Sequence, residues 1–215
     1  MKIGGRCLFR RSIFVAAAGI LVAVLTACTG KGGGYLPPGV TGSDVFPGTV
    51  FTAQAPFGFT FSCEDKGGLN PPTGKLAIEL AYSDLGTSAL LSAPFSIHGI
   101  VDKIDPVVES AVCIGQNPPP GGTTLIFLGR YRLTSSRSPD FPSTCPARET
   151  KTTPLCRFEV IVQDNDGNFR PSPRDFFSIK LSSATTCGDP LCSTLPGPVF
   201  YARAGFLAGG NLTVK

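Results

Sequence analysis

The segment Lys75-Leu-Ala-Ile-Glu-Leu-Ala-Tyr82 decides the fold class of this sequence. Every second residue in it is large and apolar, and a period of two is typical of a β-strand with one buried face. The same alternation recurs in Arg157-Phe-Glu-Val-Ile-Val-Gln163 and in Phe176-Phe-Ser-Ile-Lys-Leu181. All three segments are therefore predicted to be half-buried strands.

Seven further segments carry β-branched or aromatic residues between turns rich in glycine and proline. They are Val50–Ala53, Phe57–Cys63, Phe95–Asp102, Val107–Ile114, Thr124–Thr134, Val199–Phe206 and Asn211–Val214. No segment shows the apolar stripe of an amphipathic helix. The pattern predicts an all-β fold over residues 50–215, an antiparallel β-sandwich of about 8–10 short strands, with a partly open barrel as the alternative.

The N-terminus has the layout of an export signal. Lys2, Arg6, Arg10 and Arg11 precede the uncharged apolar stretch Ile13–Leu25. That stretch is shorter than the about 20 apolar residues that a membrane-spanning helix needs. A basic segment followed by a short apolar one indicates a cleaved signal peptide.

The four residues Leu25-Thr26-Ala27-Cys28 resemble the lipobox of bacterial lipoprotein precursors. The resemblance implies that residues 1–27 are removed and that the Cys28 thiol carries acyl chains such as palmitate, so that membrane lipid is a partner. Thr29 replaces the aspartate that resembles an inner-membrane retention signal, which favours the outer membrane where there are two. The alternative is an ordinary secreted protein with a cysteine at this position by chance.

Residues 28–49 are rich in glycine and proline, in the run Thr29-Gly-Lys-Gly-Gly-Gly-Tyr-Leu-Pro-Pro-Gly39 above all. This composition predicts a flexible tether between the lipidated cysteine and the β domain. Fully extended, the tether would reach about 65–70 Å. Its expected role is to hold the domain away from the membrane.

Charge follows the same division of the chain. The signal peptide contains four of the 19 lysines and arginines and none of the 15 acidic residues, so the mature chain is formally neutral. The basic character of the precursor therefore gives no reason to expect a nucleic-acid partner. The mature length suits one domain.

Six of the eight cysteines lie in the β domain and form an even set in an exported chain: Cys63, Cys113, Cys145, Cys156, Cys187 and Cys192. Disulfides are expected there, and six cysteines permit 15 pairings. Close spacing favours Cys145 with Cys156 and Cys187 with Cys192, which leaves Cys63 for Cys113. A zinc site is the alternative, but no Cys-x2-Cys pair is present.

A calcium site is one interpretation of Asp164-Asn165-Asp166-Gly167-Asn168 and the later Asp175. Asp164, Asp166 and Asn168 place oxygen ligands at alternating positions, as an EF-hand loop does, and Asp175 stands where that loop ends. Phe169 occupies the position of the loop's glycine, and strands flank the segment. A strand-to-strand turn capped by its own side chains is the alternative. No other cofactor is expected.

Three segments between Arg157 and Val214 resemble a β-rich module of bacterial surface proteins, the type that follows "choice-of-anchor" regions. They are Arg157–Gly167, Asp175–Leu181 and Tyr201–Val214. The resemblance implies a secreted β-sandwich to which no catalytic residues are assigned.

The sequence offers few catalytic candidates. Its one histidine, His98, is predicted to point outward from a strand, and Arg130 and Arg132 are predicted to share an outer strand face. The favoured hypothesis is a non-enzymatic envelope module that binds a protein or glycan or serves a structural role. A carboxylate-based glycan hydrolase and a calcium-binding adhesion module are the alternatives.

Overall fold

The computed structural model of the chain describes residues 27–65, 74–100, 123–135, 139–150, 154–165, 174–187 and 194–214. These residues contain eleven β-strands and no helix. The strands are β1 Ala27–Leu36, β2 Gly39–Val40, β3 Val50–Phe51, β4 Ala55–Asp65, β5 Gly74–Asp84, β6 Phe95–Ile100, β7 Thr124–Leu133, β8 Cys156–Gln163, β9 Phe176–Ser182, β10 Val199–Phe206 and β11 Gly209–Val214.

Nine strands form one antiparallel sheet in the order β10-β9-β8-β7-β6-β5-β4-β1-β11, and β2 pairs separately with β3. The two edge strands, β10 and β11, are joined through only Leu207 and Ala208. Since so short a connection brings the two edges together, the sheet curls into a half-barrel. The predicted all-β, antiparallel fold is confirmed, and both of its packed layers belong to one curled sheet.

Aromatic side chains fill the space enclosed by the curled sheet. Phe57 on β4 stacks on Phe177 on β9 with ring centroids 3.7 Å apart, and Phe59 and Phe61 both meet Phe127 on β7 at 5.5 Å. Burial of such a side chain stabilises the fold by about 1.5–3 kcal/mol. The apolar residues that alternate along the strands therefore form one core, to which strands on opposite sides of the curled sheet contribute.

The prediction of a flexible tether was wrong for the residues after Cys28. Ala27–Leu36 forms β1, an interior strand that pairs with β4 along its whole length and with β11 from Gly30 onward. Its glycines permit close approach: a Cβ at Gly32 would lie 2.5 Å from the carbonyl oxygen of Asn211, and one at Gly34 would lie 2.3 Å from that of Gly209. Glycine in a strand marks such close backbone approach as often as it marks flexibility.

The rest of the predicted tether also packs on the domain. Thr41 and Gly42 bond to the backbone of Ala204 on β10, with Gly42 N donating to its carbonyl at 2.9 Å. The chain then returns through β3, where Phe51 is buried. Residues 37–51 therefore belong to the folded domain.

Most strand predictions are confirmed, whereas the predicted strand Val107–Ile114 lies outside the described residues, as does the predicted signal sequence up to residue 26. The Cys145–Cys156 disulfide is confirmed. Cys187 is also disulfide-bonded. Because Cys113 and Cys192 lie outside the described residues, the pairings Cys63–Cys113 and Cys187–Cys192 stay predictions.

Candidate functional site

The two described aspartates of the predicted calcium segment cap an edge of the sheet. Asp175 is buried, and its carboxylate accepts hydrogen bonds from Leu212 N at 2.7 Å and from Asn165 N at 2.9 Å. The Asp164 carboxylate accepts a bond from Val214 N at 3.1 Å. Unpaired N–H groups on an edge strand invite pairing with other chains. Asp164 and Asp175 therefore hold β11 in place and protect its edge.

The described residues of the predicted calcium segment already have partners within the protein. Oxygens of Asp164 and Asp175 already bond to backbone N–H groups, and the Asn165 side chain donates to Arg174 O at 2.9 Å, as a self-capped turn would. Asp166 and Asn168 lie outside the described residues. Within the described part of the chain, no three histidine, cysteine, aspartate or glutamate side chains come together as a metal site would require.

A polar cluster that the sequence analysis missed lies inside the curled sheet. The Arg203 guanidinium forms an ion pair with Asp84 at 3.0 Å, and the Tyr201 hydroxyl donates to the same Asp84 oxygen at 2.7 Å. The Tyr82 hydroxyl is hydrogen-bonded to that of Tyr201. Burial raises the pKa of both tyrosines well above its ordinary value, so both hydroxyls stay protonated.

Arg203 also joins the segment that was predicted to be a tether to the sheet. Its guanidinium donates to the carbonyls of Pro37 at 2.8 Å and Ala53 at 2.7 Å, and it lies 4.3 Å above the ring of Phe51. The sequence signal for such a buried pair is a charged residue at an inward-pointing position of a strand. Arg203 is at such a position, because it follows the buried Tyr201 by two residues. The Arg203 and Asp84 charges are paired and both tyrosine hydroxyls are hydrogen-bonded, so loss of one partner would leave a buried charge uncompensated.

The outer surface of β11, β1, β4, β5 and β6 is open to solvent, and we call it the bare face. Lys31, Thr60, Glu79 and Ala81 are exposed on it, and His98 is half-buried, as predicted for an outward-pointing residue. A shallow groove of about 300 Å³ runs across its centre. It is lined by Gly58, Phe59, Thr60, Glu79, Leu80, Ala81 and His98.

Loops cover much of the outer surface of β7 to β10, and we call it the covered face. Arg130 lies on it in an ion pair with Glu149 of the 139–150 loop, whereas its predicted neighbour Arg132 is exposed. Burial lowers the pKa of Arg157 on this face to about 10. Lys180 bridges Glu159 and Asp44, each at 3.2 Å, and so fixes the 37–49 segment.

A cavity of about 360 Å³ lies at the rim, where the end of β1 meets β9 and β10. Phe176 and Phe206 meet edge to face beside it at 5.7 Å, and Phe206 is 56% exposed. Val40 and Arg174 complete the rim.

Comparison with known proteins provides no relative from which a site can be transferred. No protein-family model matches this chain, and no curated protein or solved structure is significantly similar to it. Among the described residues, no helix is long and apolar enough to span a membrane.

Proposed function

We propose that this chain is a lipid-anchored protein of a bacterial envelope, held outside the cytoplasm by acylated Cys28. Its β domain is a non-enzymatic module that binds an envelope protein or glycan or serves a structural role. The acyl chains at Cys28 anchor the protein stably, since two or more chains are needed where one is only marginal.

The observation that carries this proposal is the disulfide between Cys145 and Cys156. Both cysteines are buried, and their Cα atoms are 5.2 Å apart, within the ordinary range for a disulfide. Structural disulfides form in oxidising compartments outside the bacterial cytoplasm. The bond therefore agrees with the export signal and the lipobox at the N-terminus.

The buried charged side chains are bonded to one another or to the backbone, which supports a binding or structural role. Asp84 and Arg203 neutralise each other in the interior, and Asp175 caps β11. The bare face meanwhile presents polar side chains to solvent. A rigid domain with one open face suits recognition of a partner.

The anchor is tested by expressing the full precursor in a bacterium and measuring the mass of the N-terminal peptide. We expect a diacylated or triacylated Cys28 and a membrane-fraction protein. The Cys28→Ser variant should carry no lipid, and the molecules from which the signal peptide is removed should leave the membrane fraction. An unmodified Cys28 in a soluble wild-type protein would reject the proposal.

The role of the domain is tested by incubating the purified lipoprotein with envelope glycans and peptides, followed by product analysis. We expect binding without product. Turnover that is lost when a single carboxylate is replaced by its amide would favour the hydrolase instead. Calcium titration heat that disappears in Asp166→Ala would favour the adhesion module.

A further inference from the structure

We infer that the β domain sits directly on the lipid surface, with the end of the sheet that carries Thr29, Ser62 and Val214 facing the headgroups. The inference rests on the proposed lipidation of Cys28. It adds a contact between the β domain and the lipid headgroups. It also adds a fixed orientation of the domain on the membrane, which a flexible tether would not give.

The length of chain between the anchor and the fold carries this inference. Cys28 is paired in register with Cys63 on β4, so the lipidated residue lies within β1 itself. At about 3.3 Å per strand residue, Thr29 is one step from the acylated residue, Lys31 is about 10 Å away and Tyr35 about 23 Å away. No spacer remains to lift the domain from the bilayer.

β1 is also held too firmly to act as a spacer by detaching. It is an interior strand with β4 on one side and β11 on the other. Its far end, Leu36, is buried in the core, and Gly30 faces Leu125 across the interior. Removing β1 would separate β11 from the sheet and open the core.

The chemistry of this end suits contact with headgroups. Thr29 and Lys31 are exposed, Ser62 opposite Thr29 is partly exposed, and Thr213 lies opposite Lys31. Hydroxyl groups donate hydrogen bonds to phosphate oxygens, and the lysine supplies a positive charge. Among the described residues of this end, the contact is polar and peripheral.

The chain contains no tryptophan, which allows single-tryptophan reporters to measure the orientation. Ala77, exposed and opposite Ser62, reports on the anchored end, and Tyr35, at the far end of β1, reports on the opposite end. The lipidated variants Ala77→Trp and Tyr35→Trp are placed in vesicles that contain phospholipid with a headgroup nitroxide quencher. We expect Ala77→Trp to lose most of its fluorescence and Tyr35→Trp to lose almost none.

Two controls make the outcome decisive. A flexible Gly/Ser insert of about 12 residues after Cys28, roughly 20 Å from end to end, should restore the fluorescence of Ala77→Trp. Thr60→Trp provides a second reporter, next to Lys31, if Ala77→Trp fails to fold. Absence of quenching at both ends would overturn the inference, and so would equal quenching at both ends, which indicates a domain lying flat.

The mass of the N-terminal peptide, measured on the same samples, separates this inference from the proposed function. Lipidated protein without quenching at Ala77→Trp refutes the docking alone. Protein without lipid refutes the anchor, and the docking with it.

Discussion

The bare face and the covered face are outer surfaces of one continuous sheet, yet they bury their side chains very differently. Glu79 and Thr60 on the bare face are exposed, whereas Arg130 and Arg157 on the covered face are each only 6% exposed. The strands alternate in the same way on both sides. Among the described residues, the difference arises because loops held by ion pairs, Glu149 with Arg130 and Asp44 with Lys180, lie over the covered face. Stability is therefore expected to depend on the interior and the covered face, and the bare face is left free for contacts.

The largest expected effect concerns the interior that both faces share. Burial raises the pKa of Tyr82, Tyr131 and Tyr201 well above its ordinary value. A group whose pKa is raised by folding stabilises the fold fully below its unfolded pKa, and this contribution is lost as pH rises above it. Above about pH 10, stability should fall by up to about 4 kcal/mol per pH unit for the three together.

Urea unfolding between about pH 8 and 11 measures this slope, and near-ultraviolet absorbance records tyrosinate. Unfolding and ionisation should coincide. Tyr131→Phe removes one of the three groups and should reduce the slope by about one third. Ionisation of the three buried tyrosines in an intact sheet would show that the interior is wetter than the structure indicates.

The next prediction concerns the ion pair between Asp84 and Arg203. Asp84 lies on β5, whose outer side belongs to the bare face, and Arg203 lies on β10, whose outer side belongs to the covered face. Arg203→Met leaves the Asp84 charge buried without its partner, which should cost about 3–5 kcal/mol in urea unfolding. Adding Asp84→Asn should recover part of this loss, because the double variant has no uncompensated charge. Lys31→Met on the bare face is the control, with a cost below about 0.5 kcal/mol. Equal costs at both positions would contradict the division between interior and surface.

The disulfide joins the 139–150 loop to β8 at the core and should stabilise that loop most. The bond closes a loop with a sequence separation of 11, which stabilises the fold by about 3 kcal/mol through the unfolded chain. The double variant Cys145→Ala with Cys156→Ala should lose that amount in urea unfolding. In hydrogen exchange, the 139–150 loop should lose protection while β4 keeps it. Equal loss of protection in β4 would show that the two faces unfold together.

A smaller effect separates two glycines on neighbouring strands. A Cβ at Gly34 would lie 2.3 Å from the Gly209 carbonyl, whereas the nearest atom to a Cβ at Gly58, the Gly32 carbonyl oxygen, is 3.9 Å away. Gly34→Ala should therefore destabilise the protein by about 1–3 kcal/mol in thermal or urea unfolding. Gly58→Ala should be neutral or slightly stabilising. Similar results for the two would mean that β1 is not packed tightly against β11.

The same glycines explain where sequence reasoning succeeded and where it failed. The alternation in Lys75–Tyr82 predicts a strand because it records a partition between core and solvent within the segment itself. The run from Gly30 to Gly34 records no such partition, since its strand is specified by the backbones of β4 and β11. That information is distant in the sequence, and composition alone predicts a linker.

Among the candidate site residues, too, some roles could be predicted from the local sequence and others could not. The Cys145–Cys156 pair was predictable because its two members are close in sequence. The role of Asp175 was not, because its partner Leu212 belongs to a strand 37 residues away. A carboxylate that caps a distant edge strand has the same local sequence as a carboxylate that binds a metal ion.

The smallest expected effect is the closest test of the bare face. Glu79→Gln should change the free energy of unfolding by less than about 0.5 kcal/mol, because the side chain is exposed. The same substitution at Glu149 should cost about 1–3 kcal/mol, because it weakens the ion pair of the buried Arg130. Paired urea titrations measure the difference. If Glu79→Gln weakens binding of an envelope ligand while stability is unchanged, the bare face is the recognition surface. If it costs as much stability as Glu149→Gln, Glu79 serves the fold, and recognition must be sought at the rim cavity beside Phe206.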